Sequence, residues 1–312
     1  MINDLMQKMR SILERGDRVN FRDRRGHYAS GNLACLRDQY WGWKKEPETN
    51  PTDIKGAMKM LIGSAIEDGL VKAVLSKLSF FGYHLRGTQV PVGGSNPAWD
   101  GYLDGLLAKQ NEDGKWEQFV VEIKTKSGFG ADLFYRNPEP SPEYMTQIGL
   151  YLKDCHEKGV TNKGLFVFVL LSDSTIGNIV LINVHYDAST NTAHATDWIN
   201  SDLQTGNLNT SIDLTVSLER WNRLNRHIAE GTVPAPEYKY KYPLTEESVR
   251  ELSDAKLKKI IEGAIVHGDW QPLYSRYKNK QLEADGLTPE RTEEELQVAR
   301  SEYKRRHPRS KI

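Results

Sequence analysis

The chain has 312 residues, 42 Lys plus Arg against 42 Asp plus Glu, a formal net charge of zero, and two cysteines, Cys35 and Cys155. That length suits one large domain or two small ones with ample core, the charge balance speaks against a histone-like or nucleic-acid-coating protein, and so few cysteines exclude a disulfide framework. No apolar run reaches a membrane span of about 18 residues, and the polar start MINDLMQKMRSILERG lacks the apolar core of a signal peptide, so a cytosolic protein is expected.

In chain order, residues 2–15 read as a first helix, with Ile2, Leu5, Met9, Ile12 and Leu13 near helical spacing. Next comes a basic and aromatic stretch: Arg18, Arg22, Arg24 and Arg25, then Tyr40, Trp41 and Trp43 interleaved with Arg37, Lys44 and Lys45. Such a mixture suits phosphate contacts and base stacking, or equally a helix with aromatic core anchors. Residues 53–80 predict one long helix with an apolar stripe through Met58, Leu61, Ile62, Ala65 and Leu70. Residues 83–92 predict an entry strand, and Gly93 to Pro97 a flexible turn.

Gly101 to Leu107 reads as a short strand, and Phe119 to Thr125, with Val120, Val121 and Ile123, as its hairpin partner across the Asp113-Gly114 turn. Residues 128–142 predict a long loop, either a mobile flap or a packed connection. Ser141, Pro142 and Glu143 are the cap, first residue and first-turn charge of a following helix. KGLFVFVLLSD reads as a strand buried on both faces, with residues 176–187 as its hairpin partner. Residues 188–212 are polar and predict a connecting insertion; 213–231 predict a helix stopped by Pro234 and Pro236. Tyr238, Tyr240 and Tyr242 alternate with lysines, which fits a strand offering rings to bases or an ordinary half-buried strand. A helix is expected over 245–266, and a charged helix with a basic, phosphate-binding tail from about Thr288. The fold expected is α/β: a mixed central sheet flanked by helices.

Three residues in this frame carry chemistry. Glu122 and Lys124 are two apart on one strand and share a face. If the strands pair, Asp104 converges on them. Two carboxylates suit a hard cation such as Mg²⁺ or Mn²⁺, which acidifies water and offsets phosphoryl charge, while an ammonium stabilises developing charge. A solvated strand face with alternating charges is the plain alternative. Asp100 competes with Asp104 for the metal role. Gln147 and Tyr151, four apart, share one helix face; Tyr151 could instead be core. Lys126 and Ser127 are candidates for phosphate contact.

The ordered set GxxD (Gly101, Asp104), ExK (Glu122, Lys124) and QxxxY (Gln147, Tyr151) resembles the PD-(D/E)xK nuclease superfamily, in its RecB-like exonuclease branch. The resemblance implies that Asp104 and Glu122 bind metal together with the Ile123 carbonyl, that Lys124 is the catalytic lysine, and that Gln147 and Tyr151 position the DNA strand. It makes Arg37, Lys126 and Ser127 further candidates for DNA contact. Gly63-x-x-x-Glu67 resembles the branch's G-x-x-x-H motif with glutamate for histidine, so Glu67 is a candidate metal ligand; an exposed helix carboxylate is the alternative, with Asp68 beside it. SGNLACLRDQYW resembles the first cysteine segment of relatives with an iron–sulfur cluster. Trp270, Tyr274 and Tyr277 keep the outline of the late cysteine segment, but Pro272 and Ser275 stand where cysteines belong, so no cluster is expected. The resemblance implies a nuclease domain over 1–285, with its core at about 53–187 and a charged helix and tail at 286–312. It implies an exonuclease acting on DNA ends in recombination, repair or phage DNA processing, with a recombinase or helicase as partner. No GxxxxGK[ST] loop is present for intrinsic ATP-driven movement. The alternatives are a non-hydrolysing DNA-binding module and a structure- or sequence-specific endonuclease on the same core.

Overall fold

Strand-forming Val120, Val121 and Ile123 sit in the middle of the longest strand among the described residues, Trp116–Ser127. The computed structural model describes residues 26–50, 54–172, 178–269, 271–288 and 290–309. The helix expected over 2–15 and the Arg18 to Arg25 cluster lie outside the described residues. The chain divides into two compact units. Of the described residues, one unit holds 26–34 and 54–226 and the other 35–50 and 227–309. In this division the described residues 290–309 belong with the second unit.

The first unit is built on a seven-stranded mixed sheet. Its strands are β2 (Tyr83–Gly87), β5 (Gly105–Gln110), β6 (Trp116–Ser127), β7 (Lys163–Leu171), β8 (Ile179–Asp187), β9 (Thr192–Asn200) and β10 (Thr205–Asp213). The order is β10-β9-β8-β7-β6-β5-β2. Only the β6–β7 pair is parallel, with Glu122 opposite Phe166 and Lys124 opposite Phe168. A second, three-stranded sheet pairs β1 (His27–Tyr28), β4 (Ala98–Leu103) and β3 (Val90–Ser95).

Helix α4, Pro142–Glu157, has the cap expected of it: the Ser141 hydroxyl accepts from Tyr144 N–H. It packs Ile148, Leu152 and Tyr151 into a core with Val120, Phe166, Phe168 and Ile182. The apolar run of β7 is buried on both faces as its composition predicts. On the opposite face, Val121, Ile123 and Val167 pack against Leu75. Leu75 belongs to a 3₁₀ stretch, Leu75–Phe81, that follows helix α2, Ile54–Ala73. The single helix expected over 53–80 is therefore two elements.

Four other expectations are corrected in this unit. The residues 83–92 form two strands, β2 and the start of β3, separated by a turn in which Gln89 takes φ 50. Gly101 to Leu107 is likewise two strands, β4 and β5, in two different sheets, with Asp104 at the switch. The loop expected after Ser127 contains helix α3, Phe129–Arg136, which buries Ala131 and Phe134. The polar insertion 188–212 is the hairpin β9–β10 at the sheet's edge, one face of which is exposed.

Helix α5, Leu214–Glu230, carries the chain toward the second unit and buries Trp221 completely. The second unit has its own core of Leu244, Val249, Leu252, Leu257, Ile260 and Ala299. The helix expected over 245–266 is two, α6 (Glu246–Arg250) and α7 (Asp254–Ile261). The tyrosine alternation at 238–242 makes no strand; Tyr240 is buried in irregular chain. Helix α1, Leu36–Trp43, sits here too, with Trp41 against Tyr277. Among the described residues no helix is long and apolar enough to cross a membrane.

Candidate functional site

Strand β6 outruns its neighbour. Pairing with β5 ends at Gly105 opposite Val121, while pairing with β7 continues to Ser127. From Glu122 onward one edge of β6 lacks a strand partner, and Asp104 fills the gap: its Oδ2 accepts from Ile123 N–H at 2.7 Å. The N–H and C=O of one strand residue leave the same edge, so the Ile123 carbonyl faces the notch that Asp104 caps.

The side chains of Glu122 and Lys124 share the face covered by α4. Lys124 Nζ donates to Glu122 Oε1 at 2.6 Å and to Gln147 Oε1 at 3.1 Å. Gln147 Nε2 donates to Glu122 Oε1 at 2.6 Å and to the Tyr151 hydroxyl at 3.0 Å. One helix turn thus joins both sequence motifs into one network. Glu122 is 1 % exposed, Asp104 9 % and Gln147 7 %. The other oxygen of Glu122, Oε2, is buried and has no hydrogen-bond partner among the described residues.

Glu67 reaches the site from the far side of the sheet. Helix α2 lies with Gly63 against Thr125 of β6, where an added Cβ would stand 3.5 Å from the Thr125 hydroxyl. One turn later the Glu67 carboxyl lies beside Asp104, close enough for the two to influence each other's charge, and it accepts from Gln89 at 3.0 Å. Asp68 next to it is exposed, and so is Asp100, on the outward-facing register of β4. The structure therefore brings Glu67, Asp104, Glu122, Ile123, Lys124, Gln147 and Tyr151 together and leaves both competing aspartates out.

The charges are frustrated. Burial, then the neighbouring Glu122 charge, pushes Asp104 up to about 7. Burial, then Asp104, pushes Glu67 up to about 7. Burial also raises Glu122, with the Lys124 ammonium opposing. For Lys124, burial works to lower the value, but the Glu122 carboxylate outweighs it and holds the ammonium above the ordinary lysine range. Burial lowers Lys126, whose Nζ lies 4.6 Å from the Phe134 ring centre and 5.6 Å from that of Tyr144. Ser127 is exposed at the end of β6.

Gly101 is explained by Tyr151. A Cβ at Gly101 would meet Tyr151 Cε1 at 2.4 Å, so only glycine lets the ring lie against β4. Trp99 stacks on Tyr151 at 6.3 Å and Trp221 on Trp99 at 6.3 Å. Tyr151 is thus both core and site. Sequence reasoning missed Tyr144, whose ring centre is 5.2 Å from Lys124 Nζ; its place three residues before Gln147 on one helix face was the available signal. Gln89 carried no signal.

Arg37 is not a free surface cation. It is 5 % exposed, bonded to the Pro234 carbonyl at 2.8 Å and paired with Asp285 at 2.7 Å. Its DNA contact is a correction: the guanidinium is spent inside the second unit, and Tyr40 and Trp41 are buried there as core anchors. Cys35 lies 3.8 Å from Gln281 Nε2, and Ser275 donates to Asp38 at 2.8 Å. The early and late segments matched on their cysteine outline do meet, through these polar groups.

Among the described residues, no three His, Cys, Asp or Glu side chains form a ready-made metal cage. A hard cation does not need one: it binds through one or two carboxylates and keeps waters or substrate oxygens. The partnerless Glu122 Oε2 and two carboxyls raised by mutual repulsion are the features such an ion would relieve, so the donor set fits.

No protein-family model matches the chain, and no curated protein is similar to it in sequence. Among solved structures, it is similar to SSO0001, at 13 % identity over 79 % of this chain and 92 % of that one, with a TM-score of 0.39. It is similar also to an alkaline exonuclease, LHK-Exo, from Laribacter hongkongensis, at 14 % identity over 66 % of this chain and 87 % of that one, with a TM-score of 0.37.

Proposed function

We propose that this chain is a metal-dependent DNA nuclease of the PD-(D/E)xK type, RecB-like branch, and that it acts as an exonuclease on DNA ends. The observation that carries the reading is the buried Asp104–Glu122 carboxylate set with a partnerless Glu122 oxygen and a charged lysine beside it. Asp104 and Glu122 would hold Mg²⁺ or Mn²⁺, with the Ile123 carbonyl and Glu67 in support, and the ion would supply an acidified water and charge neutralisation at the phosphate. The Glu122 carboxylate holds the Lys124 ammonium above the ordinary lysine range, so Lys124 would work electrostatically, orienting the attacking water and stabilising charge on the phosphoryl oxygen. Gln147 and Tyr151 are positioning residues. They fix Glu122 and Lys124 relative to each other and keep the Glu122 face of the network dry. Lys126 and Ser127, beyond the network on the same strand, would contact the substrate's phosphates.

The test uses linear DNA labelled at either end and closed circular DNA, with Mg²⁺, Mn²⁺ or chelator. Wild type should degrade linear DNA only with metal, and the order of label loss gives the polarity. Lys124→Ala should slow cleavage by about 10²–10³-fold, and Asp104→Asn should abolish it. Stable DNA binding with no cleavage in either metal would replace the enzyme with a binding module. Cleavage of closed circles would replace the exonuclease with an endonuclease.

A further inference from the structure

Two segments of the chain change sheets side by side. Strands β2 and β5 stay paired as far as Gly87 opposite Leu106, and β3 and β4 are paired from Val90 opposite Leu103. Between these pairings, Thr88 and Gln89 lie on one segment and Asp104 and Gly105 on the other. The register thus sets the Gln89 turn alongside the sheet switch that carries Asp104. Gly87 keeps the turn tight, since a Cβ there would meet Val90 Cγ2 at 2.8 Å.

Backbone preference does not explain a glutamine in this turn. Gln89 takes φ 50, in the left-handed region that glycine enters freely and that crowds the Cβ of other residues. An unfavourable conformation beside converging charges directs attention to the side chain. That side chain is exposed, yet it is engaged: Nε2 donates to Glu67 Oε1 at 3.0 Å. The bond completes a pattern, because each carboxyl of the site accepts from a neutral N–H. Asp104 accepts from the Ile123 backbone at 2.7 Å, Glu122 from the Gln147 amide at 2.6 Å, and Glu67 from Gln89. Glu67 is the least buried of the three, and the Asp104 charge beside it favours its swinging out into solvent. A neutral amide opposes that swing without supplying a positive charge to compete with a cation. We propose that Gln89 is a positioning residue for the cation site: its amide holds the Glu67 carboxyl next to Asp104, where an ion can use both. The assignment rests on the metal-dependent reading above.

The test is calorimetric Mn²⁺ binding, with the melting temperature in chelator as a second readout. Gln89→Ala and Gln89→Gly both lose the amide, but only glycine relieves the backbone. Gln89→Gly should therefore melt above Gln89→Ala, while both bind Mn²⁺ about 10–100-fold more weakly than wild type. Excess Mg²⁺ should restore cleavage in both. The amide should act only through Glu67, so Gln89→Ala added to Glu67→Ala should bind Mn²⁺ no more weakly than Glu67→Ala alone. Wild-type affinity in Gln89→Gly, or the same loss whether or not the Glu67 carboxylate is present, would overturn the proposal and leave the metal site standing. A wild-type protein that binds no Mn²⁺ would remove the metal reading itself, and the proposal with it.

Discussion

Gln147 shows how one side chain can order a site. Its amide has no freedom of assignment: the Lys124 ammonium can only donate, so the oxygen faces Lys124, and the nitrogen then serves Glu122 and Tyr151. Gln147→Ala removes all three bonds without touching a carboxylate or the lysine. Supporting partners of this kind are worth about 10–100-fold in metal affinity or activity. The expected result is a higher Mg²⁺ midpoint for cleavage and weaker calorimetric Mn²⁺ binding, with the circular dichroism spectrum of the folded protein retained in chelator. The paired Glu67 and Asp104 give a second prediction. Both carboxyls have folded values near 7, above their ordinary range, so between about pH 4 and pH 7 the folded state holds more protons than the unfolded one. Stability then falls as pH rises across that window. In chelator, Glu67→Gln should raise the melting temperature at pH 8 relative to wild type and leave it unchanged at pH 4. A wild-type melting temperature that rises between those pH values, with the same rise in the variant, would contradict the shared burial of the pair.

At the scale of elements, the site exists because β6 is longer than β5 and because the chain changes sheets at Asp104. Gly101 makes the change of sheets compatible with α4. Gly101→Ala drives a methyl into the Tyr151 ring and should cost about 1–3 kcal/mol by overpacking, read from urea unfolding. In the double variant with Tyr151→Leu, which vacates the ring's edge, most of that cost should vanish; full additivity would place the strain elsewhere. The local parts of this site were legible in the chain. ExK needs only strand periodicity, QxxxY only helix periodicity, and Ser141-Pro142 announces its helix. What was not legible depends on partners distant in sequence. GxxD reads as one strand interior, since nothing local says that the chain leaves one sheet there and enters another. Strand β10, TGNLNTSID, keeps only Leu208 and Ile212 as large apolar residues because it lies at the sheet's edge, and its polar composition reads as a loop. Helix α3 hides behind Gly128 and Gly130. The burial of Arg37 could not be read either, because Asp285 lies 248 residues away.

The core of the second unit is closed by the basic end of the chain that reads as a tail. The Thr292 hydroxyl caps helix α9, Glu293–Arg306, in a capping box with Glu295. Near its other end Arg306 donates to the carbonyls of Leu252 at 2.7 Å, Val249 at 3.2 Å and Arg250 at 2.7 Å, and to the carboxylates of Asp254 and Glu302 at 2.9 Å and 2.7 Å. These bonds satisfy the C-terminal carbonyls of α6 and tie it to α7 and α9. A phosphate-binding tail would have kept such a guanidinium free. Arg306→Ala leaves those carbonyls to solvent and unties Ala299 from Leu257 and Ile260. Hydrogen exchange should then quicken by more than tenfold over residues 249–261, while β6 and β7, whose core shares no residue with this one, keep their protection. DNA affinity should not change, since the arginine is already engaged by its own chain. Loss of protection in β6 and β7 together with the helices would mean that the two units unfold as a single cooperative block, and that Arg306 holds the first unit's core as well as its own.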